Sequence, residues 1–233
     1  MGDRPSRTSF HANVEALLRR PGIGHNQGPP LDMSGEAWVW RRAVAKAWKT
    51  PPREIALKRM ERAEAMGLSY RDYTAVLMDR GRAVNTLVLS LPALVEARAR
   101  GWGSNRDAAL QLRAEVAAKV PTLKPLRLLV LADRYADERL VGARDETELG
   151  EEVRGLLPTQ DPAIALVDSG LRRARGTADP RVSAVKDYFG RNWIVPSEAM
   201  MVGVGPDDLY VAEQTEVALF KLAWEYFSAV PVR

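Results

Sequence analysis

Four aspartates are the residues of this chain best placed to do chemistry. Asp133 follows the apolar run Leu126–Ala132, Asp168 closes the run Ala163–Asp168, and Asp207 and Asp208 follow Ala199–Val204 across Gly205 and Pro206. An aspartate just past a short apolar run sits at the carboxyl end of a strand, and in an open α/β sheet that edge is where ligands bind. Carboxylates that converge there can hold magnesium, a hard cation that takes a few protein oxygens and leaves its other positions to water and phosphate. Asp133, Asp168, Asp207 and Asp208 are therefore the candidate catalytic and metal-binding residues of a magnesium-dependent phosphoesterase or nuclease. The plainer alternative is that each caps the next helix or turns the chain, as aspartate often does after a strand.

Other chemistries are excluded or weakly signalled. The chain has no cysteine, so a disulfide framework and a Cys-ligated metal lack their residues, and its two histidines, His11 and His25, both near the N-terminus, count against a His-rich metal site and a Ser-His-Asp triad. Gly203-Val204-Gly205 has no third glycine at the spacing of a dinucleotide fingerprint. Ser169-Gly170 after a strand suits either a phosphate at a helix N-terminus or an ordinary turn.

A second group of residues points to binding. Residues 1–82 hold 15 Lys and Arg against 9 Asp and Glu, a net of +6, whereas residues 83–233 hold 19 against 21, a net of −2. A basic segment joined to a mildly acidic one is the asymmetry of a nucleic-acid-binding module, or of a solvated basic surface. Helices are expected from Ser34 onward, with Trp40, Val44 and Trp48 as one apolar stripe, then over Arg53–Ala65 burying Ala56, Met60 and Ala63, then from Tyr70 to Gly81 burying Tyr73, Val76 and Leu77. Ser69 suits the N-cap and Gly81 the left-handed stop. Met66-Gly67-Leu68-Ser69 between two helices matches the coarse helix-turn-helix pattern. The Thr74 hydroxyl would then point from the start of the recognition helix, Arg71 would reach a guanine edge or a phosphate, and Arg42, Lys46, Lys58, Arg59 and Arg62 would bind the phosphate backbone.

Past Arg82 the texture alternates. Apolar runs at Asn85–Leu91, Leu126–Ala132, Ala163–Asp168 and Ala199–Val204 are separated by helical patterns over Pro92–Lys119, Glu146–Leu156 and Val182–Phe189, with a last helix over Tyr210–Phe227. Short continuous strands between helices are the signature of a parallel sheet covered on both faces. The expected fold is thus α/β: a flexible Gly/Pro-rich arm (1–33), a basic three-helix module (34–82), and a small three-layer Rossmann-like domain (83–233) with a parallel sheet of about four strands.

Two resemblances add to this. The stretch Gly22-Ile23-Gly24-His25-Asn26-Gln27-Gly28-Pro29-Pro30-Leu31-Asp32, with the Trp- and Arg-rich helix and the segment Arg53–Gly81, resembles a group of small uncharacterised alphaproteobacterial proteins, some prophage-linked, over residues 22–82. It brings no activity with it. Pro196–Asp208, with its strand ending at Gly203 and an acid beyond, resembles the last motif region of haloacid-dehalogenase-like phosphatases. That resemblance implies Asn85–Leu91 as the first strand and Lys186 as the conserved lysine. The nucleophilic aspartate of such enzymes would fall where this chain has Leu89-Ser90-Leu91, and their metal-binding aspartate where it has Val204. The resemblance therefore implies a degenerate domain.

Three functions remain open. The first is a nucleic-acid-associated accessory protein binding DNA or RNA through the basic module, without a cofactor. The others are the magnesium-dependent enzyme, and a non-catalytic interaction or inhibitor protein on a degenerate enzyme fold, with the arm as a contact for another protein. No apolar run approaches the roughly 18 residues of a membrane span, and the first 30 residues have no signal-peptide core, so a cytoplasmic, membrane-free location is expected.

Overall fold

The computed structural model describes residues 51–98, 109–170 and 179–228. The chain divides into two units, Met1–Arg53 and Glu54–Arg233, and the second holds the fold. The expected arm of residues 1–33 and the expected first basic helix, with Arg42 and Lys46, fall outside the described residues.

Helix α1 (Arg53–Ala65) and helix α2 (Tyr70–Arg80) occur where the apolar spacing expects them. Between them the chain reverses by a pair of hydrogen bonds, Leu68 N–H to Ala63 O and Gly67 N–H to Glu64 O. That closure needs a left-handed residue, and Gly67 supplies it at φ 62°. A Cβ there would also meet Leu123, Lys119 and Tyr226 at 2.7–2.8 Å, so glycine is required twice over. Ser69 caps α2 by accepting the Asp72 N–H, and Gly81 ends it at φ 70°. Of the residues expected to be buried on α1, Ala63 is buried, Ala56 is half-buried and Met60 is 43 % exposed.

The sheet has five parallel strands: β1 (Thr86–Ser90), β4 (Arg127–Asp133), β5 (Ala163–Val167), β6 (Ala199–Gly203) and β7 (Leu219–Leu222), in the order β5-β4-β1-β6-β7. Leu87 and Leu89 of β1, Leu128, Val130 and Ala132 of β4, and Met200 and Val202 of β6 belong to one buried cluster. Val88, Leu129, Leu131, Ala199 and Met201 belong to another on the opposite face. The period of two along a strand makes this division, and it explains why central strands read as unbroken apolar runs. Full burial of each such side chain is worth roughly 1.5–3 kcal/mol.

Helices cover both faces. Helix α6 (Glu146–Leu156) joins the first cluster through Leu149 and Val153, behind a capping box in which Asp145 and Glu148 each accept the other's N–H. Helices α7 (Pro180–Arg191) and α8 (Pro206–Gln214) cover the second face through Val185, Phe189, Val211 and Ala212. The helices α1 and α2 are part of the same core: Ala63, Met66, Tyr73 and Val76 share the first cluster with Leu87 and Leu89. The change of charge near Arg82 is thus no boundary in packing.

Two segments differ from expectation. Pro92–Lys119 is not one helix: a single turn α3 (Leu91–Leu94) leads into an antiparallel hairpin of β2 (Val95–Ala97) and β3 (Leu110–Leu112), then α4 (Ala114–Lys119). Tyr210–Phe227 is not one helix either. Hydrogen bonds from Glu216 N–H to Glu213 O and from Val217 N–H to Ala212 O stop α8, with Glu216 at φ 57°. The chain then forms β7 and the short helix α9 (Ala223–Ser228). The fifth strand comes from this break. Among the described residues no helix is long and apolar enough to cross a membrane.

Candidate functional site

Strand order reverses between β1 and β6, because the chain runs outward from β1 through β4 to β5 and then returns to the other side for β6 and β7. At such a point the crossovers leave to opposite sides and open a crevice at the carboxyl ends of the strands. Here the crevice is filled by the chain itself.

Arg181 occupies it. The residue lies in the first turn of α7, after Pro180 and the N-cap Asp179, whose carboxylate accepts the Arg181 N–H at 2.9 Å. The same carboxylate clamps the guanidinium, with Nη2 to Oδ2 at 2.7 Å and Nε to both oxygens at 3.2 Å. Asp133 Oδ2 lies 3.8 Å from Nε and Asp208 Oδ1 lies 3.7 Å from Nη1. Arg181 is 5 % exposed and Asp133 2 %. Burial alone would lower the pKa of the guanidinium, but Asp179 and then Asp208 and Asp133 override it and hold the value above the ordinary one.

Each carboxylate is fixed by backbone. Asp133, the last residue of β4, accepts the N–H groups of Tyr135 at 3.0 Å and Ser169 at 3.1 Å on Oδ1. Asp208 accepts the Val204 N–H at 2.7 Å, and folds so closely over Gly203 that a Cβ there would stand 2.3 Å from its own. Asp137 completes the group by accepting the Asp133 N–H at 2.9 Å. Burial, followed by the neighbouring carboxylates of Asp133 and Asp208, raises its pKa to about 6, against the easing effect of the Asp133 N–H and Arg181. Ser90 Oγ, Ser169 Oγ and Asp133 Oδ2 are buried without a hydrogen-bond partner.

Of the four aspartates expected to converge, the structure brings two together. Asp133 and Asp208 flank the guanidinium of Arg181. Asp168 is exposed and accepts the Gly170 N–H at 3.0 Å, the turn expected of an aspartate past a strand. Asp207 is exposed in the first turn of α8. Among the described residues no group of three or more carboxylates or histidines is placed to hold a metal ion, so the four do not form a metal centre. The cation among these carboxylates is the arginine. Lys186, the expected counterpart of a conserved lysine, is exposed farther along α7. Arg181, Asp179 and Asp137 were not foreseen. The only trace of them is Asp179-Pro180-Arg181 opening a helix, which reads locally as a cap.

The basic residues are distributed differently from expectation. Lys58 and Arg62 on α1 and Arg71 on α2 are exposed, and Arg59 is half-buried. The Thr74 hydroxyl donates back to Tyr70 O and Arg71 O and so is not free to read a base edge. Residues 54–82 contain six Lys and Arg against five Asp and Glu, a net of +1; residues 1–53 contain nine against four, a net of +5. The positive excess therefore precedes the helix pair.

No family model, no curated protein and no solved structure matches this chain.

Proposed function

We propose that the α/β unit is a non-catalytic interaction domain on a degenerate enzyme fold. One observation carries this reading: the crevice at the strand ends is occupied by the buried Arg181 and the carboxylates of Asp133, Asp179 and Asp208. A charged group held in a dry site with its counter-charges is costly to expose, so this cluster resists opening to substrate. The resemblance to haloacid-dehalogenase-like phosphatases supports the same reading, since the central strand ends in Ser90 where those enzymes carry a nucleophilic aspartate. Hydrolysis of phosphomonoesters and nucleic acids, with magnesium present, tests it. The expected result is no turnover above the protein-free rate. Magnesium-dependent turnover that disappears in Asp208→Asn would refute it.

A second reading is favoured by the net charge of +5 on residues 1–53. The chain associates with nucleic acid through that segment, with Arg42 and Lys46 among its cations, while Lys58, Arg59, Arg62 and Arg71 contribute little because acidic neighbours cancel them. Duplex and single-stranded DNA binding by the full chain, followed against salt, is the test. The R42E/K46E pair should weaken binding and flatten the salt slope by about two, and K58E/R62E should change it less. Absence of any salt-dependent shift at low ionic strength removes this reading.

A further inference from the structure

Three side-chain oxygens buried at the carboxyl edge of the sheet have no hydrogen-bond partner: Ser90 Oγ, Asp133 Oδ2 and Ser169 Oγ. Their residues are 3 %, 2 % and 1 % exposed. Strand geometry turns the first two to one face. Ser90 has the parity of Val88 along β1, and Asp133 that of Leu129 and Leu131 along β4; Val88, Leu129 and Leu131 belong to the cluster covered by α7 and α8. The pairing of β1 with β4 sets Ser90 level with Leu131, two residues short of Asp133. Ser169 follows β5 on the other flank, and its N–H donates to Asp133 Oδ1 at 3.1 Å. Asp133 therefore stands between the two serines, as β4 stands between β1 and β5.

A buried polar atom without a partner is destabilising, and three of them around one strand end point to a group that satisfies them together. Charge narrows what that group is. Asp179 takes the hydrogen bonds of the Arg181 guanidinium. Asp133 Oδ2 and Asp208 Oδ1 stand off from it at 3.8 Å and 3.7 Å, beyond hydrogen-bond range. One guanidinium thus serves three carboxylates, and a buried carboxylate oxygen without a donor calls for positive charge. Valence follows from the ligands. One carboxylate oxygen with two neutral hydroxyls is a poor set for magnesium, which demands near-ideal octahedral geometry and dehydrates reluctantly, and a double charge would stand close to Arg181. A singly charged ion accepts neutral oxygens as ligands, as potassium does with backbone carbonyls.

We propose that Ser90, Asp133 and Ser169 bind a monovalent cation of the potassium class, with Asp133 Oδ2 as its charged ligand and the two hydroxyls as neutral ones. The ion supplies the positive charge that Arg181, committed to Asp179, does not bring within hydrogen-bond range of Asp133. Bound there, it joins the ends of β1 and β4 to the chain after β5 and stabilises the fold by mass action, without entering a reaction. The inference rests on the reading of this crevice as non-catalytic.

Thermal melting of the full chain in potassium chloride and in choline chloride, at equal ionic strength, is the test. Potassium at about ten times its dissociation constant should raise the melting temperature of wild type by about 3–6 °C over choline. Ser90→Ala and Ser169→Ala each remove a hydroxyl that makes no hydrogen bond in the fold, so each should fold and lose that difference between the salts. Ser183→Ala, on the exposed side of α7, should keep it. Rubidium, which replaces potassium and scatters anomalously, should give a peak beside Asp133 in crystals grown with it. The proposal is overturned if wild type melts alike in the two salts, if the difference survives in Ser90→Ala and Ser169→Ala, or if rubidium binds only elsewhere. Magnesium-dependent turnover would instead strike the non-catalytic reading, so the two failures are told apart.

Discussion

Replacing Asp137 with asparagine should make the protein more stable at neutral pH, against the usual expectation for loss of a buried charge. The Asp137 carboxyl has its pKa raised from 3.8 to about 6 in the folded chain. A group whose folded pKa lies above its unfolded value binds more protons when folded in the interval between the two. Stability from this group is therefore complete below about pH 4, falls as pH rises through the interval, and is gone above about pH 6. At 1.36 kcal/mol per pH unit the interval corresponds to about 3 kcal/mol, a ceiling for a half-buried group. Asparagine at this place, just before helix α5 (Glu138–Val141), is neutral at every pH and keeps an oxygen to accept the Asp133 N–H. Asp137→Asn should thus raise the melting temperature at pH 7.5 by roughly 5–10 °C for a chain of this size, and the gain should vanish near pH 4. Differential scanning calorimetry of both proteins at half-unit steps between pH 4 and 8 measures it. A variant less stable than wild type at pH 7.5, or a difference between the two that does not change with pH, would refute the reasoning.

Three further outcomes follow from the same geometry. Arg181→Met leaves Asp133, Asp179 and Asp208 without their counter-charge and should cost about 3–5 kcal/mol in chemical denaturation. Gly203→Ala sets a Cβ 2.3 Å from the Asp208 Cβ; neither atom can rotate away, so a loss of about 1–3 kcal/mol by urea unfolding is expected. Trp193→Gly relieves a left-handed residue and should stabilise the fold by about 1 kcal/mol in urea unfolding.

The architecture was legible where local and tertiary demands agree. Helices α1 and α2 carry their stops and caps in sequence, with Gly67 after α1 and Ser69 and Gly81 around α2. The runs of the three central strands β1, β4 and β6 are legible because each is continuously apolar over the length of a strand. Leu219-Phe220-Lys221-Leu222 was absorbed into a helix because four residues cannot show a period, and because the stop before it uses Glu216 where a glycine would have announced it. The β2–β3 hairpin was hidden for the same reason, with three residues to a strand. At the crevice, Asp133 and Asp208 were visible as strand-end acids. Arg181 was not, because a residue in the first turn of a helix ordinarily faces water, and its burial depends on the sheet edge beneath it.

Two contacts join segments that are far apart in sequence. The Tyr226 hydroxyl donates to Met66 O, 160 residues away, and Lys221 pairs with Asp72 across 149. Ribosomes add about 5–20 residues per second, so roughly ten to thirty seconds separate the emergence of Met66 from that of Tyr226. Through that interval α1 and α2 are made but lack the Tyr226 and Phe227 side chains that complete their shared core.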